Sequence, residues 1–503
     1  MQTNLCKSWQ IVYGEYEGAE KHAVNFLSGE LCRYIARIAG VYTLYVVPCV
    51  KESEENPDKN AIYLAAYGEC EAIRKAVNES EIPENGWLIR TLKQPKQMQQ
   101  PQQPKNAEQG EGQTAENSRQ TIIITAKKRE NLYYAATSFI DDFMVKFAPI
   151  CGSLTMPEKF FEYDIKDNKY TFELKTKTRS IFTWGHPLND YREFIKTAAR
   201  LKLNRLIVWN DYAPVNAREI MNYAHEFGIQ IVWGFEWGWG TNGSAHIASI
   251  DDEYLEKLKA RILEKFEREY KDISEDGVYF QSFTERKDDN IGGRRISEAV
   301  VKLVNEASAA LLKKYPNLNI IFGLHASSVL THFEDVEKTD PRVEILWEDW
   351  GAFPAEYRPD DNAERFKTLK KTTAQMLKLR GGKKLGFLFK GFMVLDWSRF
   401  EYQQGAFVLG ENPQSVTESD GALRGGAWRA FQAGWIACGE NAREIAEQIC
   451  EATGGEAEIG MAGCFDGGMW AAETLCAEMI ADPSRKYKDI LIAALSKTGV
   501  KFA

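Results

Sequence analysis

Between residues 180 and 397, short apolar runs alternate with amphipathic stretches, and the runs end in Trp, Glu, Asp, His or Lys. No other feature of the chain restricts its folding as much. Strand and helix in strict alternation require a parallel sheet covered by helices, and this many repeats predict a (β/α)8 TIM barrel within an α/β fold class. Strands are predicted at 180–186, 205–211, 229–236, 277–285, 317–325, 343–349 and 385–390, each bounded by turn residues. The segments 190–202, 217–227 and 252–270 carry apolar residues at helical spacing. An eighth strand is expected at 406–409, Ala-Phe-Val-Leu, after a very short crossover.

A chain of 503 residues is too long for one ordinary core. The expected division is an α/β accessory domain over 1–150, a barrel over 178–440 and a helical C-terminal extension over 441–503. Residues 93–120 are rich in Gln, Pro and small polar side chains with almost nothing to bury, and are expected to form a disordered insertion. This tract separates two strand-like runs, 86–92 and 121–125, that can pair as neighbours. The net charge is -9 with both signs interspersed, and no basic stripe, Arg-rich arm or zinc-finger spacing is present. Nucleic acid is therefore not an expected partner. The first residues lack an apolar signal core, and no run approaches the roughly 20 apolar residues of a membrane span. The nine cysteines form an odd set without a CxxC pair, as reduced structural thiols would. A soluble, cytoplasmic protein without membrane partner or cofactor is expected, and nothing in the pattern opposes a homo-oligomer.

The run Gly86-Trp-Leu-Ile-Arg90, then an apolar strand, then Arg129-Glu-Asn-Leu-Tyr-Tyr-Ala-Ala-Thr-Ser-Phe139 resembles the accessory domain that precedes the barrel in β-hexosaminidases (glycoside hydrolase family 20) and α-glucuronidases (family 67). The resemblance covers residues 1 to about 150 and continues as domain order. It implies a glycoside hydrolase acting on a small carbohydrate. This chain has Glu130-Asn131 where the pattern usually has Gly, and Thr284 where family 20 enzymes carry the first member of an Asp-Glu pair. A mechanism assisted by the substrate's acetamido group is thereby in doubt.

Barrel enzymes keep their active sites at the carboxyl ends of the strands, and glycoside hydrolysis generally needs two carboxyl groups across the scissile bond. Glu285, closing the fourth strand, is the expected general acid, as the resemblance implies. Asp349 is the first choice for base or nucleophile, Glu348 the reserve, and alternation turns one of this pair inward and the other away. Asp396 and Glu236 are further candidates. Eight of the thirteen tryptophans lie at or near strand ends, and flat aromatic faces stack on sugar rings. Trp209 and Trp233, inside their strands, read as packing residues, whereas Trp184, Trp237, Trp239, Trp347, Trp350 and Trp397 are candidate sugar contacts. His186, Asn210, Asp211, Gln281 and His325 are candidate hydroxyl partners. Lys390 suits a carboxylated sugar, or else neutralises Glu348 or Asp396. Two alternatives stand beside the glycosidase. One is a carbohydrate-binding barrel without turnover; the other is a metal-assisted hydrolase or isomerase using His186 and His325, although no close-spaced metal-ligand pair is present.

Overall fold

The computed structural model describes residues 9–39, 47–95, 118–144, 163–183, 188–209, 212–238, 247–284, 288–325, 332–348, 359–390, 406–463 and 471–498. The chain divides into two compact units, Met1–Glu173 and Leu174–Ala503. In the first, the elements run β1 (Trp9–Tyr13), α1 (Gly18–Ala39), β2 (Cys49–Lys51), β3 (Asn60–Ala66), α2 (Glu71–Ala76), β4 (Gly86–Pro95), β5 (Ser118–Ala126), α3 (Asn131–Ser138) and β6 (Lys169–Glu173). They build one sheet in the order β2-β1-β3-β5-β4-β6. The two runs flanking the Gln/Pro-rich tract do pair, antiparallel, with Leu88 opposite Thr125 and Leu92 opposite Thr121. Val12, Tyr63, Ile73, Leu88 and Ile123 pack together in one core of this unit.

The second unit runs β7 (Arg179–Phe182), α4 (Tyr191–Arg200), β8 (Arg205–Trp209), α5 (Ala217–His225), β9 (Gln230–Glu236), α6 (Asp252–Lys265), β10 (Val278–Gln281), the small hairpin β11 (Asn290–Ile291) and β12 (Arg294–Arg295), α7 (Ile296–Lys314) and β13 (Ile320–His325). It continues with α8 (Phe333–Val336), β14 (Glu344–Glu348), α9 (Pro359–Lys378), β15 (Leu385–Phe389), α10 (Gln414–Thr453), β16 (Glu458–Ala462), α11 (Ala471–Ala481) and α12 (Tyr487–Thr498). Eight parallel strands close into a barrel in the order β10-β13-β14-β15-β16-β7-β8-β9. All seven strands read from the sequence are in it.

The helices start and face where their sequences direct. Asp190 caps α4 by accepting the amides of Arg192 at 2.9 Å and Glu193 at 3.0 Å, and Tyr191, Phe194, Ile195, Ala198 and Ala199 form its buried face. Asp251 caps α6 through the amide of Tyr254 at 2.9 Å. No described helix is long and apolar enough to cross a membrane.

The eighth strand corrects the sequence reading. It is Glu458–Ala462, reached through a helix of 40 residues, so the barrel extends into the segment assigned to a C-terminal extension. Residues 406–412 are instead a strap across the starts of α4 and α5. Phe407 O accepts from Val215 N at 2.9 Å, Gly410 O from Tyr191 N at 3.1 Å, and Asn412 N donates to Asn189 O at 2.8 Å. Asn216 Nδ2 donates to Leu409 O at 2.9 Å. Phe407 O and both backbone groups of Leu409 are thus matched to a loop and to Asn216, and 406–409 is not among the barrel strands.

Inside the barrel, Phe182, Ile207, Trp209, Val232, Tyr279, Ile321, Leu346 and Leu388 form the central cluster. Because alternate strand residues share a face, residues two positions from these also point inward. Glu344, Arg205 and Glu458 thus occupy the amino-terminal layer, and Gln281, Glu348 and Lys390 the carboxyl-terminal one.

Candidate active site at the carboxyl-terminal mouth

Glu348 ends β14 two residues after Leu346, and its side chain is 0 % exposed. Lys390, one residue past β15 and two after Leu388, places its Nζ 3.0 Å from Glu348 Oε2. The other oxygen, Oε1, accepts hydrogen bonds from the Tyr279 hydroxyl and from Gln281 Nε2. Gln281 Nε2 also lies 3.0 Å from the Tyr279 oxygen, which can accept from it. Burial first, then the adjacent Glu348 charge, pushes the Tyr279 phenol well above its ordinary value, so it stays protonated and donates. A buried carboxylate is costly to leave unpaired, and here both oxygens are engaged.

Tyr279 reaches Glu348 through space that a missing side chain provides. Gly323 is inward-facing in β13, and a Cβ there would fall 1.9 Å from the Tyr279 hydroxyl oxygen. The ring is held edge-on by Trp209, with centroids 5.8 Å apart and planes at 77°.

The chain past β9 and β10 is also held. Trp237 N donates to Gln281 O at 2.8 Å, Ser282 Oγ donates to Trp237 O at 2.7 Å, and Phe283 and Thr284 are buried. Glu236, half-buried at the end of β9, accepts from Gly238 N at 2.7 Å. Of the two barrel carboxylates at described strand ends, Glu236 is the one with solvent access. His325 ends β13 in register with Glu348.

Several site expectations change. Glu348 is the inward member of its pair, but both oxygens are taken, so it is a counter-ion and anchor instead of a reserve base. Lys390 neutralises Glu348. Trp237 is buried against Phe280, centroids 3.6 Å apart and planes at 11°, and Trp347 is buried among Leu369, Thr373, Phe387, Phe389, Ile445 and Ile449. Trp237 follows and Trp347 precedes an inward glutamate, so alternation turns both outward toward the helices, and neither offers a face to a sugar. Trp233, with Nε1 3.3 Å from Met221 Sδ, is a packing residue as expected. Glu285, Asp349, Asp396, Trp184, His186, Asn210, Asp211, Trp239, Trp350 and Trp397 lie outside the described residues. Tyr279 and Gly323 were missed. Alternation from Gln281 would have put the tyrosine in the barrel, but nothing in the sequence pairs it with Glu348.

The histidine and carboxylates that could together hold a metal among the described residues are His332, Glu334 and Asp335, with ligand atoms within 4.8 Å of one another. They are already engaged by cations. Lys338 lies 2.9 Å and Arg295 3.3 Å from Asp335, and Arg295 lies 3.6 Å from Glu334. A metal would meet two positive charges there.

The amino-terminal layer of the barrel carries a second charged group, Arg205 paired with Glu458 and 3.6 Å from Glu344. Burial, with Glu344 adding to it and Arg205 opposing it, raises the Glu458 carboxyl to about 7. This is the stability end of a barrel.

No protein-family model and no curated protein matches this chain. Among solved structures it is similar to a family GH115 4-O-methyl-α-glucuronidase with specificity for decorated arabinogalactans, at 9% identity and TM-score 0.49, covering 98% of this chain and 59% of that one. It is similar to CpGH84D at 12% identity and TM-score 0.39, covering 88% and 68%. A family 89 glycoside hydrolase from Clostridium perfringens matches at 10% identity and TM-score 0.40, covering 96% and 51%. The chain thus spans about half to two thirds of the length of these glycoside hydrolases.

Proposed function

We propose that this chain is a glycoside hydrolase acting on a small carbohydrate at the carboxyl-terminal mouth of its barrel. Glu285 is the general acid and Asp349 or Asp396 the base or nucleophile, with Glu236 as a further carboxylate at the rim. Trp184, His186, Asn210, Asp211, Trp239, Trp350 and Trp397 contribute sugar contacts. The resemblance of the first unit to accessory domains of families 20 and 67 belongs to the same reading.

The observation that carries it is the polar layer of Glu348, Lys390, Tyr279 and Gln281 directly beneath that mouth. It supplies a fixed, charge-balanced floor beneath the reacting groups, at the end where barrel enzymes react. Preorganised polar groups of this kind need little reorganisation during reaction.

The test is hydrolysis of a panel of aryl glycosides, including glucuronides and N-acetylhexosaminides, by the wild type and Glu285→Gln, each with and without chelator. One substrate is expected to turn over with chelator present and to lose roughly 10²–10⁴-fold in rate in the variant. Equal rates in both proteins, or silence across the panel, would overturn the assignment.

A further inference from the structure

In the first unit, the parallel strands β1, β3 and β5 are adjacent, and the turns that follow them meet at one edge of the sheet. Glu20, in the first turn of α1, is fully buried there. Its Oε1 accepts from Gly14 N and Glu15 N, both at 2.8 Å, which closes the turn after β1. The turn after β3, Tyr67–Glu69, packs against it: a Cβ on Gly14 would fall 3.1 Å from Glu69 Cβ, and the Glu69 carboxyl acts directly on that of Glu20. Glu20 Oε2 and Glu69 Oε2 are buried and, among the described residues, neither finds another donor. Arg129, after β5, reaches Glu69 at 2.5 Å and also bonds Glu17.

Two carboxylates offer acceptors only, so a hydrogen bond between them requires a proton. We propose that Glu20 and Glu69 share one proton and so form a pH-operated latch that ties the turn after β1 to the turn after β3. The groups facing it are Glu15 and Glu17 on the β1–α1 turn, Glu69 on the β3 turn and Arg129 on the β5 turn, with Lys51 of β2 3.6 Å from Glu15. Arg129 already balances Glu69 and Glu17, so no described cation answers a charge on Glu20. Burial, followed by the hydrogen bond and charge of Glu69, raises Glu20 to about 8 against the pull of the two amides. Loss of that proton sets a buried Glu20 anion against the half-buried Glu69 anion, and the turn after β1 is released.

The test is amide exchange of the full chain between pH 6.5 and 9.5, corrected for the intrinsic rate, read on peptides covering residues 14–20 and 67–71. Wild-type protection is expected to be flat up to about pH 8 and then to fall about tenfold per pH unit. Glu20→Gln keeps an oxygen for the two amides and supplies an N–H to Glu69, so its protection is expected to stay flat. Where Glu20→Gln loses protection at every pH, Glu69→Gln provides the same permanent donor from the other side. Wild-type protection that is constant through pH 9.5, or variants that lose protection in step with the wild type, would overturn the latch.

Discussion

Lys390→Met would remove the ammonium facing Glu348 while keeping an unbranched apolar stem of similar length. The pair is almost completely buried, at 5 % and 0 % side-chain exposure, with 3.0 Å between Nζ and Oε2. Breaking a buried ion pair from one side generally costs about 3–5 kcal/mol, because the surviving charge has no answer. Here Oε1 keeps the Tyr279 and Gln281 donors, which places the expected loss near the lower end, about 3 kcal/mol. Adding Glu348→Gln removes the orphaned charge and should bring the protein back to within about 1 kcal/mol of the wild type. The assay is urea unfolding of the wild type, both single variants and the double variant at pH 6, compared as a double-mutant cycle. A Lys390→Met loss below about 1 kcal/mol, or no recovery in the double variant, would show that Glu348 does not depend on Lys390 and would undo the anchored-floor argument.

Gly323→Ala should cost about 2–4 kcal/mol, from overpacking and from displacing the Tyr279 hydroxyl that stands 1.9 Å from the new Cβ; unchanged thermal stability would contradict this packing. Gly460→Ala should impair barrel closure between β16 and β7, because its Cβ would fall 2.0 Å from Ser180 Oγ; Ser180→Gly in the same chain should relieve the loss, and failure to do so counts against that contact. Burial raises Glu473 to about 8 and, against Arg205, Glu458 to about 7. A raised carboxyl stabilises below its unfolded value and loses that contribution as pH rises, so unfolding midpoints should drop between about pH 4.5 and 8. Glu473→Gln should flatten the upper part of that slope, and an unaltered slope would exclude Glu473 as its source. Glu478 works the other way. Its burial would raise it, but Lys202, Lys497 and Arg485 outweigh that and hold it well below the usual range, so its stabilisation is lost only in acid.

Seven of the barrel strands were legible because each is an apolar run of the right length with a polar residue at its end. The eighth was hidden because its inward positions are Glu458, Gly460 and Ala462, none of which marks a core strand, and because its crossover is a 40-residue helix where a short one was expected. The tryptophans at 237 and 347 were misassigned by reading strand ends as a group without regard to which face each residue takes. Alternation, which identified one member of the 348–349 pair as inward, also turns Trp237 and Trp347, beside Glu236 and Glu348, outward. The Tyr279 contact was beyond reach of the sequence. It joins β10 to β14 across β13, through space left by Gly323, and only the closed barrel brings those three strands together.

The geometry of Glu348 also divides labour within the mouth. A carboxyl that transfers a proton or attacks carbon must turn a lone pair toward the substrate. Glu348 shares one oxygen between a phenol and an amide and gives the other to an ammonium. Using it would require breaking at least one buried charge-assisted contact. On the proposed reading the reacting groups are therefore those that follow the strand ends, and the buried layer holds them. The two classes separate experimentally. Substitution in the floor, at Glu348, Lys390 or Tyr279, should lower stability and activity together, whereas Glu285→Gln should remove activity and leave the unfolding free energy within about 0.5 kcal/mol of the wild type. Glu348→Gln that kept full stability but lost turnover would put Glu348 back among the reacting carboxyls.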